Sequence, residues 1–357
     1  MASRNLTVTG LDMGSSKMAA VAMLVSPSGS VNVVAHASVP SKGMTRGVFV
    51  NLDEAIESVT KVLSKLREKL GRRPENIFVN ISGIGVRGQR SSGMTPLAAR
   101  GREVTKLDMQ RSIEAASTVT LPLEREVLHR IVHRFSVDGE NFIADPIGLH
   151  AARLTCEVYL VSAPVNQVHD IQKCVNEAGY DAREVVFTGI ADSCSILDQQ
   201  NREGCVMILD IGHSVTEACL FSEGVLKRLS VVPFGAIDLK GGFREVPVIE
   251  EAMAAIGSDM RQARESGTQI GSVIVTGGAA FTDGLIEFIE EKFSRPAKMG
   301  AIRDSVGNLT DIDNFRAVTA TGLARYGAEK LIGQKRELMT PIRRMSSKVV
   351  DLFNSYF

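Results

Sequence analysis

Alternating apolar and polar positions at the start of the chain predict a small sheet. The predicted strands are rich in aliphatic and β-branched residues, are separated by polar turns, and lie at 6–13, 17–25 and 31–39. Apolar residues then recur at spacings of three and four over 53–70, which predicts an amphipathic helix capped by Asp53 and ended by Gly71. We expect this helix to pack across the strands.

A passage rich in glycine, arginine and serine, 83–103, interrupts this pattern after a strand at 76–81. We expect this passage to be exposed and to carry protein contacts, with a solvated charged loop as the alternative. A helix near 105–117 and an alternating strand at 126–137 follow it. The region is therefore predicted to be a subdomain of its own.

The second half of the chain repeats the opening pattern. Residues 205–212 form an apolar run that ends in Asp-x-Gly, as residues 8–14 do, and further strand-like segments follow each of them. A helix at 247–265, a strand at 272–276 and a Gly-Gly turn come later. The repetition predicts a duplicated fold with a central cleft.

Composition narrows the class of protein. The chain has 357 residues, 44% of them hydrophobic, which is enough for a substantial core, and its 41 basic residues equal its 41 acidic ones. No net field therefore favours nucleic acid as a partner. The five cysteines lie in apolar runs without metal-ligand spacing, which indicates core positions in a reducing compartment. We find no signal peptide and no spanning segment, so we expect neither export nor a transmembrane helix.

The candidate chemistry lies at the ends of the two repeated strands. Asp12, Gly14 and Lys17 mark the first corner, where a tight turn exposes backbone N–H groups to an anion and the lysine adds a positive charge. Asp210 and Gly212 mark the second corner, so the two carboxylates are expected to face each other across the cleft with room for hydrated Mg²⁺. Each motif alone is common in ordinary turns. A strand that runs into a Gly-Gly turn at 273–280 provides a third element, at which a backbone can closely approach a flat ligand.

These motifs carry a family resemblance. GLDMGSSK, LDIGHSVT and VIVTGGAAFTDGL resemble the two phosphate loops and the adenosine motif of actin, Hsp70 and the sugar kinases. The closer likeness is to the FtsA family, through SVNVVAHASVPSKGMTRG, EREVLHRIVHRFSVDG, DPIGLHAARL, FTGIADSCSIL and the final amphipathic segment. The resemblance implies an α/β, actin-like (ribonuclease H-like), two-lobed duplicated fold with an inserted α+β subdomain and a C-terminal amphipathic helix.

The resemblance also implies how the chain is divided. The first lobe is expected at 1–82 and 159–199, the inserted subdomain at 83–158, and the second lobe at 200–332. A linker at 333–339 and a membrane-binding helix at 340–357 complete the chain. Within the second lobe, the subdomain that covers the nucleotide is reduced to about 234–270, because too few residues separate Pro233 from Ile270.

Carried over residue by residue, the resemblance implies ATP and Mg²⁺ as ligands. Asp12 and Asp210 would position Mg²⁺ through water and the attacking water, as the catalytic and metal residues. The expected nucleotide contacts are Gly14, Ser15, Ser16, Lys17, Gly212, His213, Ser214, Gly277, Gly278 and Ala279. The sequence departs from the family at His213, Ser214 and Val215, which replace a glycine-rich loop and predict a looser site.

The implied partners follow from the same family. They are other copies of the chain in a filament, anionic membrane lipid, the cytoplasmic tail of FtsN, and the C-terminal tail of FtsZ. Binding of the FtsZ tail is predicted to be weak or absent, because the subdomain that receives it is the shortened one. The expected location is the division site, on the cytoplasmic face of the inner membrane, as a peripheral protein.

The end of the chain predicts an interfacial helix. Apolar residues recur at spacings of three and four, basic residues flank them, and the preceding run resembles a linker. A helix packed on the protein's own core is the alternative. The predicted membrane contacts are Ile342, Arg343, Arg344, Met345, Lys348, Val349, Leu352, Phe353, Tyr356 and Phe357.

Two other functions fit parts of the sequence. A pilus-type adaptor such as PilM would share the nucleotide core, but it normally lacks the terminal amphipathic helix. An ATPase or phosphotransferase of the same superfamily would use two aspartates around a phosphate. A transferase also needs a base, for which Asp192 is the candidate near the cleft. We therefore expect at most a weak ATPase.

Overall fold

The computed structural model describes residues 6–26, 30–118, 121–140, 142–198, 204–239, 247–265, 270–303, 309–310 and 313–339. These residues form two compact units. The first contains the described residues of 1–87 and 164–329, and the second contains those of 88–163 with the end of the last helix from Lys330.

A five-stranded sheet forms the first half of unit one. Its strand order is β13-β6-β1-β2-β3, with β1 parallel to β6 and antiparallel to β2. Its strands are β1 Leu6–Met13, β2 Lys17–Val25, β3 Val31–Pro40, β6 Ile77–Ile81 and β13 Ala182–Phe187. A small hairpin, β4 Met44–Thr45 with β5 Val48–Phe49, follows β3.

Three helices pack on this half: α1 Leu52–Leu70, α3 Val165–Glu177 and α4 Thr188–Ile196. The predicted bounds of α1, 53–70, agree with the structure to within one residue, but the predicted capping residue, Asp53, is wrong. The side chain of Asn51, not Asp53, accepts the free N–H of Glu54, because Asn51 has the extended backbone that a capping residue needs. Gly71 ends the helix in the left-handed conformation, as predicted.

The second half of unit one repeats this sheet. Its strand order, β16-β15-β14-β17-β18, reproduces the antiparallel and parallel pairings of the first. Its elements are β14 Cys205–Ile211, β15 Thr216–Ser222, β16 Val225–Val232, α5 Pro247–Glu265, β17 Ser272–Thr276, α6 Leu285–Phe293 and β18 Ala297–Met299. Single-turn 3-10 helices occupy Ala236–Leu239 and Gly278–Phe281. The duplicated fold predicted from the sequence is confirmed.

The core of the second half is apolar and includes the helix of the shortened region. Ile249, Ala252, Met253 and Ile256 of α5 are buried against β14, β17 and α6 residues. Their three- and four-residue spacing is the stripe expected of a core-facing helix. Four cysteines, Cys156, Cys174, Cys194 and Cys219, are buried and Cys205 is half-buried.

The last elements return to the first sheet. A short helix, α7 Asp313–Arg316, leads into α8 Val318–Met339. A Cβ atom on Gly10 of β1 would fall on the carbonyl oxygen of Ala320 and lie 2.7 Å from the Ala324 nitrogen. The absence of a side chain at Gly10 therefore lets α8 lie directly on the strand.

Residues 333–339 do not form the expected linker. They continue α8 to Met339, since after Gly333 the run Gln-Lys-Arg-Glu-Leu-Met consists of good helix formers. The predicted membrane helix, 340–357, lies outside the described residues. Within the part of the chain that is described, no helix is long and apolar enough to cross a membrane.

Unit two is a small α+β body. Its sheet has the order β10-β9-β12-β7, and helix α2 Lys106–Ser117 contributes buried Met109, Ile113 and Ala116 to its core. The strands are β7 Arg87–Pro96, β9 Arg125–Val137, β10 Phe142–Ile143 and β12 Arg153–Pro164, and a separate short pair joins β8 Arg102–Glu103 to β11 His150–Ala151. The passage 83–103, expected to be exposed, contains β7, whose positions are exposed or half-buried. This strand has few apolar residues to mark it, and its place comes from pairing along β12.

Candidate functional site

A cavity of about 390 Å³ opens in unit one where the two repeated hairpins face each other. Both β1 and β14 deliver an aspartate to it at their carboxyl ends, which is where ligands bind in sheets of this kind. The structure brings together nearly all of the predicted site residues. Its walls include Asp12, Gly14, Ser15, Ser16, Lys17, Asp210, Gly212, His213, Ser214, Gly277 and Gly278.

The first corner is held by its own turn and by Asn80. Gly14 donates to the carbonyl of Lys17 at 3.1 Å, which closes the β1–β2 hairpin. The Asn80 amide donates to Asp12 Oδ1 at 3.1 Å, and its carbonyl accepts from the Met13 nitrogen at 2.7 Å. Burial raises the pKa of Asp12, while Lys17 and Asn80 oppose that rise. The Asp12 side chain is therefore oriented by a neutral group and stabilised by a nearby cation.

The second corner has the same turn. Gly212 donates to the carbonyl of Val215 at 3.0 Å. The 3-10 turn after β16 supports it from behind, because Ala236 donates to Gly212 and Ile237 donates to His213, both at 2.9 Å. Burial raises the pKa of Asp210 to about 7, and repulsion from the carboxylate of Asp12 is the second-largest cause of the rise.

The hairpin of β4 and β5 connects the two corners. Its tip residues, Arg46 and Gly47, both have left-handed backbone, with φ of 51° and 78°. The Arg46 nitrogen donates to the Ser214 hydroxyl at 3.1 Å, and the Gly47 nitrogen approaches the Ser15 hydroxyl at 3.4 Å. One turn thus contacts a serine from each corner.

The Gly-Gly turn lies close against the second corner. A Cβ atom on Gly277 would fall on the Asp210 carboxylate and lie 2.6 Å from the Ile211 carbonyl carbon, and its φ of 88° also favours glycine. Gly278 lines the cavity beside it. Ala279, predicted as a nucleotide contact, is instead buried in the core of the second half and does not line the cavity. The 3-10 turn that contains Ala279 packs against α6 and β17.

Two further buried carboxyl groups lie near the corners. Glu217 is opposite Asp210 on β15, is 1% exposed, and accepts from the Gly83 nitrogen at 3.3 Å. Burial, then the neighbouring Asp210, raises the Glu217 pKa to about 8. Asp192 is fully buried and accepts from the Thr319 hydroxyl at 2.7 Å. Burial raises the pKa of Asp192 well above its usual range, so it is poorly suited to act as the base of a phosphotransferase.

The donor set fits a phosphate chain with a hydrated divalent cation. Mg²⁺ keeps most of its waters and usually binds one or two carboxylates together with substrate phosphates, which matches Asp12 and Asp210. The N–H groups of Gly14 and Gly212 close their own turns, so the other backbone N–H groups of the two turns would meet phosphate oxygens, and Lys17 would add a positive charge. A bound cation would also favour the ionised form of Asp210, whose pKa is otherwise raised.

Sequence reasoning missed the residues that hold the corners in place. Asn80 is a lone polar side chain within the buried strand Ile77–Ile81, which is itself a signal that could have identified it. The serine contacts of Arg46 and Gly47 had no such signal, since they are made by backbone groups from a turn far away in the sequence. The predicted membrane contacts, Ile342 to Phe357, lie outside the described residues.

The family described as the SHS2 domain inserted in FtsA matches residues 83–162. The cell division protein FtsA of Pseudomonas aeruginosa is 26% identical over 90% of this chain and 89% of its own length. The FtsA protein of Borreliella burgdorferi is 27% identical over 97% of this chain and 95% of its own length. The resemblance to FtsA is confirmed.

The likeness to FtsA extends over both halves and the insert, so it is not confined to the nucleotide motifs. Among solved structures, the PilM–PilN type IV pilus biogenesis complex matches with a TM-score of 0.64 and 14% identity, over 90% of this chain and 98% of that one. At that identity the match shows the fold alone, and the fold is the actin-like α/β fold.

Proposed function

We propose that this protein is an actin-like, ATP-binding cell division protein of the FtsA type. It would assemble into filaments on the inner face of the cytoplasmic membrane and link the division ring to that membrane. The observation that carries the nucleotide part is the meeting of Asp12 and Asp210 in one cavity with Lys17 and the glycine turns. The division role rests on the FtsA relatives, which match the chain over nearly its full length.

In this proposal Asp12 and Asp210 hold Mg²⁺ through water. Ser15, Ser16 and Lys17 hold phosphate from one side, and Gly212, His213 and Ser214 hold it from the other. The ion neutralises charge on the phosphates when bound. Hydrolysis is expected to be slow at most, since Asp192 is fully buried and the subdomain that would cover the nucleotide is short.

Nucleotide binding tests the central claim. We expect Asp12→Ala and Asp210→Ala each to weaken Mg·ATP binding by tenfold or more, measured by equilibrium titration of the full chain. Asp53→Ala removes an exposed carboxylate of α1 that does not line the cavity and serves as the matched control. If both cavity variants bind as tightly as this control, the site is wrongly assigned.

Membrane binding is proposed for 340–357 from its sequence. Each basic residue near an anionic surface contributes roughly 1 kcal/mol, and partial burial of Leu352, Phe353 and Phe357 adds about 1 kcal/mol each. One copy would therefore bind reversibly, and a filament with many copies would bind far more firmly. Recruitment to the membrane and polymerisation should then reinforce each other.

A liposome sedimentation assay tests this proposal. Truncation after Met339, or Phe353→Glu, should leave the protein in the supernatant with anionic liposomes. Asn354→Glu adds the same charge off the apolar stripe and should still sediment. A truncated chain that sediments like the full one would exclude the assignment.

The partners are proposed by family likeness. The insert would contact a neighbouring protomer and the cytoplasmic tail of FtsN. The FtsZ tail is expected to bind weakly or not at all, because between Pro233 and Ile270 the described residues form only a 3-10 turn and helix α5. Micromolar binding of an FtsZ C-terminal peptide would show that another surface receives it.

A further inference from the structure

Gln167 holds together the two segments of unit one that lead into and out of the insert. These segments, 82–87 and 164–167, are called the insert stems. The side-chain amide of Gln167 donates to the carbonyl of Ser82 at 2.8 Å and to the carbonyl of Gly47 at 2.9 Å. One side chain of the second stem therefore binds both the first stem and the tip of the β4–β5 hairpin.

Packing around this side chain is close. Gln167 is 6% exposed and does not line the cavity. A Cβ atom on Gly85 of the first stem would lie 2.9 Å from the ring of Pro164 in the second. A Cβ atom on Gly83 would lie 2.9 Å from the carbonyl oxygen of Arg46 at the hairpin tip. Because the tip and both stems are in contact, a displacement of the tip would be felt by both stems.

The other side of the hairpin tip faces the two corners that are proposed to bind phosphate. Its consecutive N–H groups point to the hydroxyls of Ser15 and Ser214, and the Gly83 N–H donates to Glu217 at 3.3 Å. A serine hydroxyl that accepts an N–H bond can still donate its own hydrogen to a phosphate oxygen. Bonds in such a chain polarise and strengthen one another. Bound phosphate and a well-placed hairpin tip should therefore stabilise each other.

We propose that Gln167 is a positioning residue that couples occupancy of the phosphate corners to the insert stems; this rests on the proposed nucleotide function. Gln167 acts through Gly47 and Ser82 and does not touch the ligand. Coupling of this kind is reciprocal, so stems that are held in place tighten nucleotide binding, and bound nucleotide holds the stems more firmly. Nucleotide binding would thus control the two points at which the chain enters and leaves the insert.

Calorimetric titration of the full chain with Mg²⁺ and ATP or inorganic tripolyphosphate is the first test. Gln167→Met removes both N–H donors and keeps a side chain of similar length. We expect it to weaken both ligands by the same factor, about fivefold, because the coupling runs through the serines at the phosphate corners. Gln172→Met is the matched control, since Gln172 is a half-buried residue of the same helix, α3, that does not line the cavity.

Hydrogen exchange with and without Mg²⁺ and ATP is the second test, and it gives a readout that a purely structural role would not change. In the unmutated chain, ATP should slow amide exchange at 44–49 and 82–87 by about fivefold, because the N–H groups of Arg46, Gly47 and Gly83 make the bonds to the second corner and to Ser15. Gln167→Met should lose this response, and Gln172→Met should keep it.

The outcomes separate the coupling from the proposed function. If Gln167→Met binds both ligands as tightly as Gln172→Met, or if ATP leaves exchange at 82–87 unchanged, the coupling is excluded and the nucleotide site stands. A loss of ATP affinity without a loss of tripolyphosphate affinity would also exclude it. If Gln167→Met does not fold, exchange in the unmutated chain decides. If the unmutated chain binds neither ligand, the proposed nucleotide function itself fails.

Discussion

The corner after Asp12 and the corner after Asp210 share a hairpin pattern but differ in charge. In each, the glycine two residues after the aspartate donates to the carbonyl three residues further on. The position that holds Lys17 in the first hairpin holds Val215 in the second, and Ala19, opposite Asp12, corresponds to Glu217, opposite Asp210. The two corners therefore share a backbone turn, but the second places another carboxyl group opposite its aspartate.

The strands that lead to the two corners also differ in what packs on them. Gly10 in β1 corresponds to Ile208 in β14, at the same distance before the aspartate. Ile208 is buried as an ordinary core residue, whereas Gly10 lies beneath α8. The two halves thus share a sheet topology, but β1 has α8 packed directly on it at Gly10, whereas β14 carries a buried isoleucine at the equivalent position.

The largest expected effect is a loss of fold stability when Gly10 of β1 is given a side chain like that of its counterpart in β14. Gly10→Val should destabilise the fold by about 3 kcal/mol or more, because the new side chain would occupy the place of the α8 backbone. Ile208→Val, the matched change in β14, should cost about 1 kcal/mol. Urea unfolding of both variants measures the difference. Similar losses would mean that α8 moves aside easily.

The next effect concerns Glu217 and pH. Its folded pKa of about 8 lies above the ordinary glutamate value of 4.5, so the folded state binds more protons between these values and loses stability as pH rises through this window. Glu217→Gln is neutral and should remove that loss, making the variant more stable by about 2 kcal/mol at pH 9. Thermal unfolding from pH 5 to 9 measures it. Parallel pH profiles for both proteins would contradict the assignment.

The third prediction concerns Lys17, whose position in the second corner is occupied by Val215. Lys17→Met should weaken ATP binding by about tenfold, equivalent to about 1.4 kcal/mol, because a charged donor to phosphate is lost. Lys61→Met removes an exposed lysine of α1 and is the control. If the Lys17→Met variant bound ATP with unchanged affinity, Lys17 would not contribute to phosphate binding, and the backbone N–H groups would be the remaining phosphate donors.

The smallest effect is expected at His213, which stands in the second corner where Ser15 stands in the first. His213→Gly should change ATP affinity by less than about threefold, below the contribution of one neutral hydrogen bond. Equilibrium titration at pH 7.5 measures this change. A tenfold loss would show that the histidine donates to phosphate.

The fold was largely predictable where apolar periodicity is strong. Helix α1 was placed within one residue, and the strand at 205–212 matches β14. The prediction failed for β7, because its sequence, Arg87–Pro96, alternates between half-buried and exposed positions with almost no apolar residues. Pairing with a neighbouring strand decides such a segment, and the neighbour cannot be read from the segment itself.

The candidate site was predictable as motifs but not as an arrangement. The sequence alone determined the two Asp-x-Gly turns and the Gly-Gly turn, because short-range backbone geometry requires those residue types. Only the tertiary structure decided that Asn80 orients Asp12 and that the Arg46–Gly47 turn contacts both serines. Those contacts join residues far apart along the chain, and they depend on distances that only the packed sheets and α8 set. For the same reason Ala279 belongs to the core and not to the cavity: its motif was recognisable, but the direction of its side chain follows from packing.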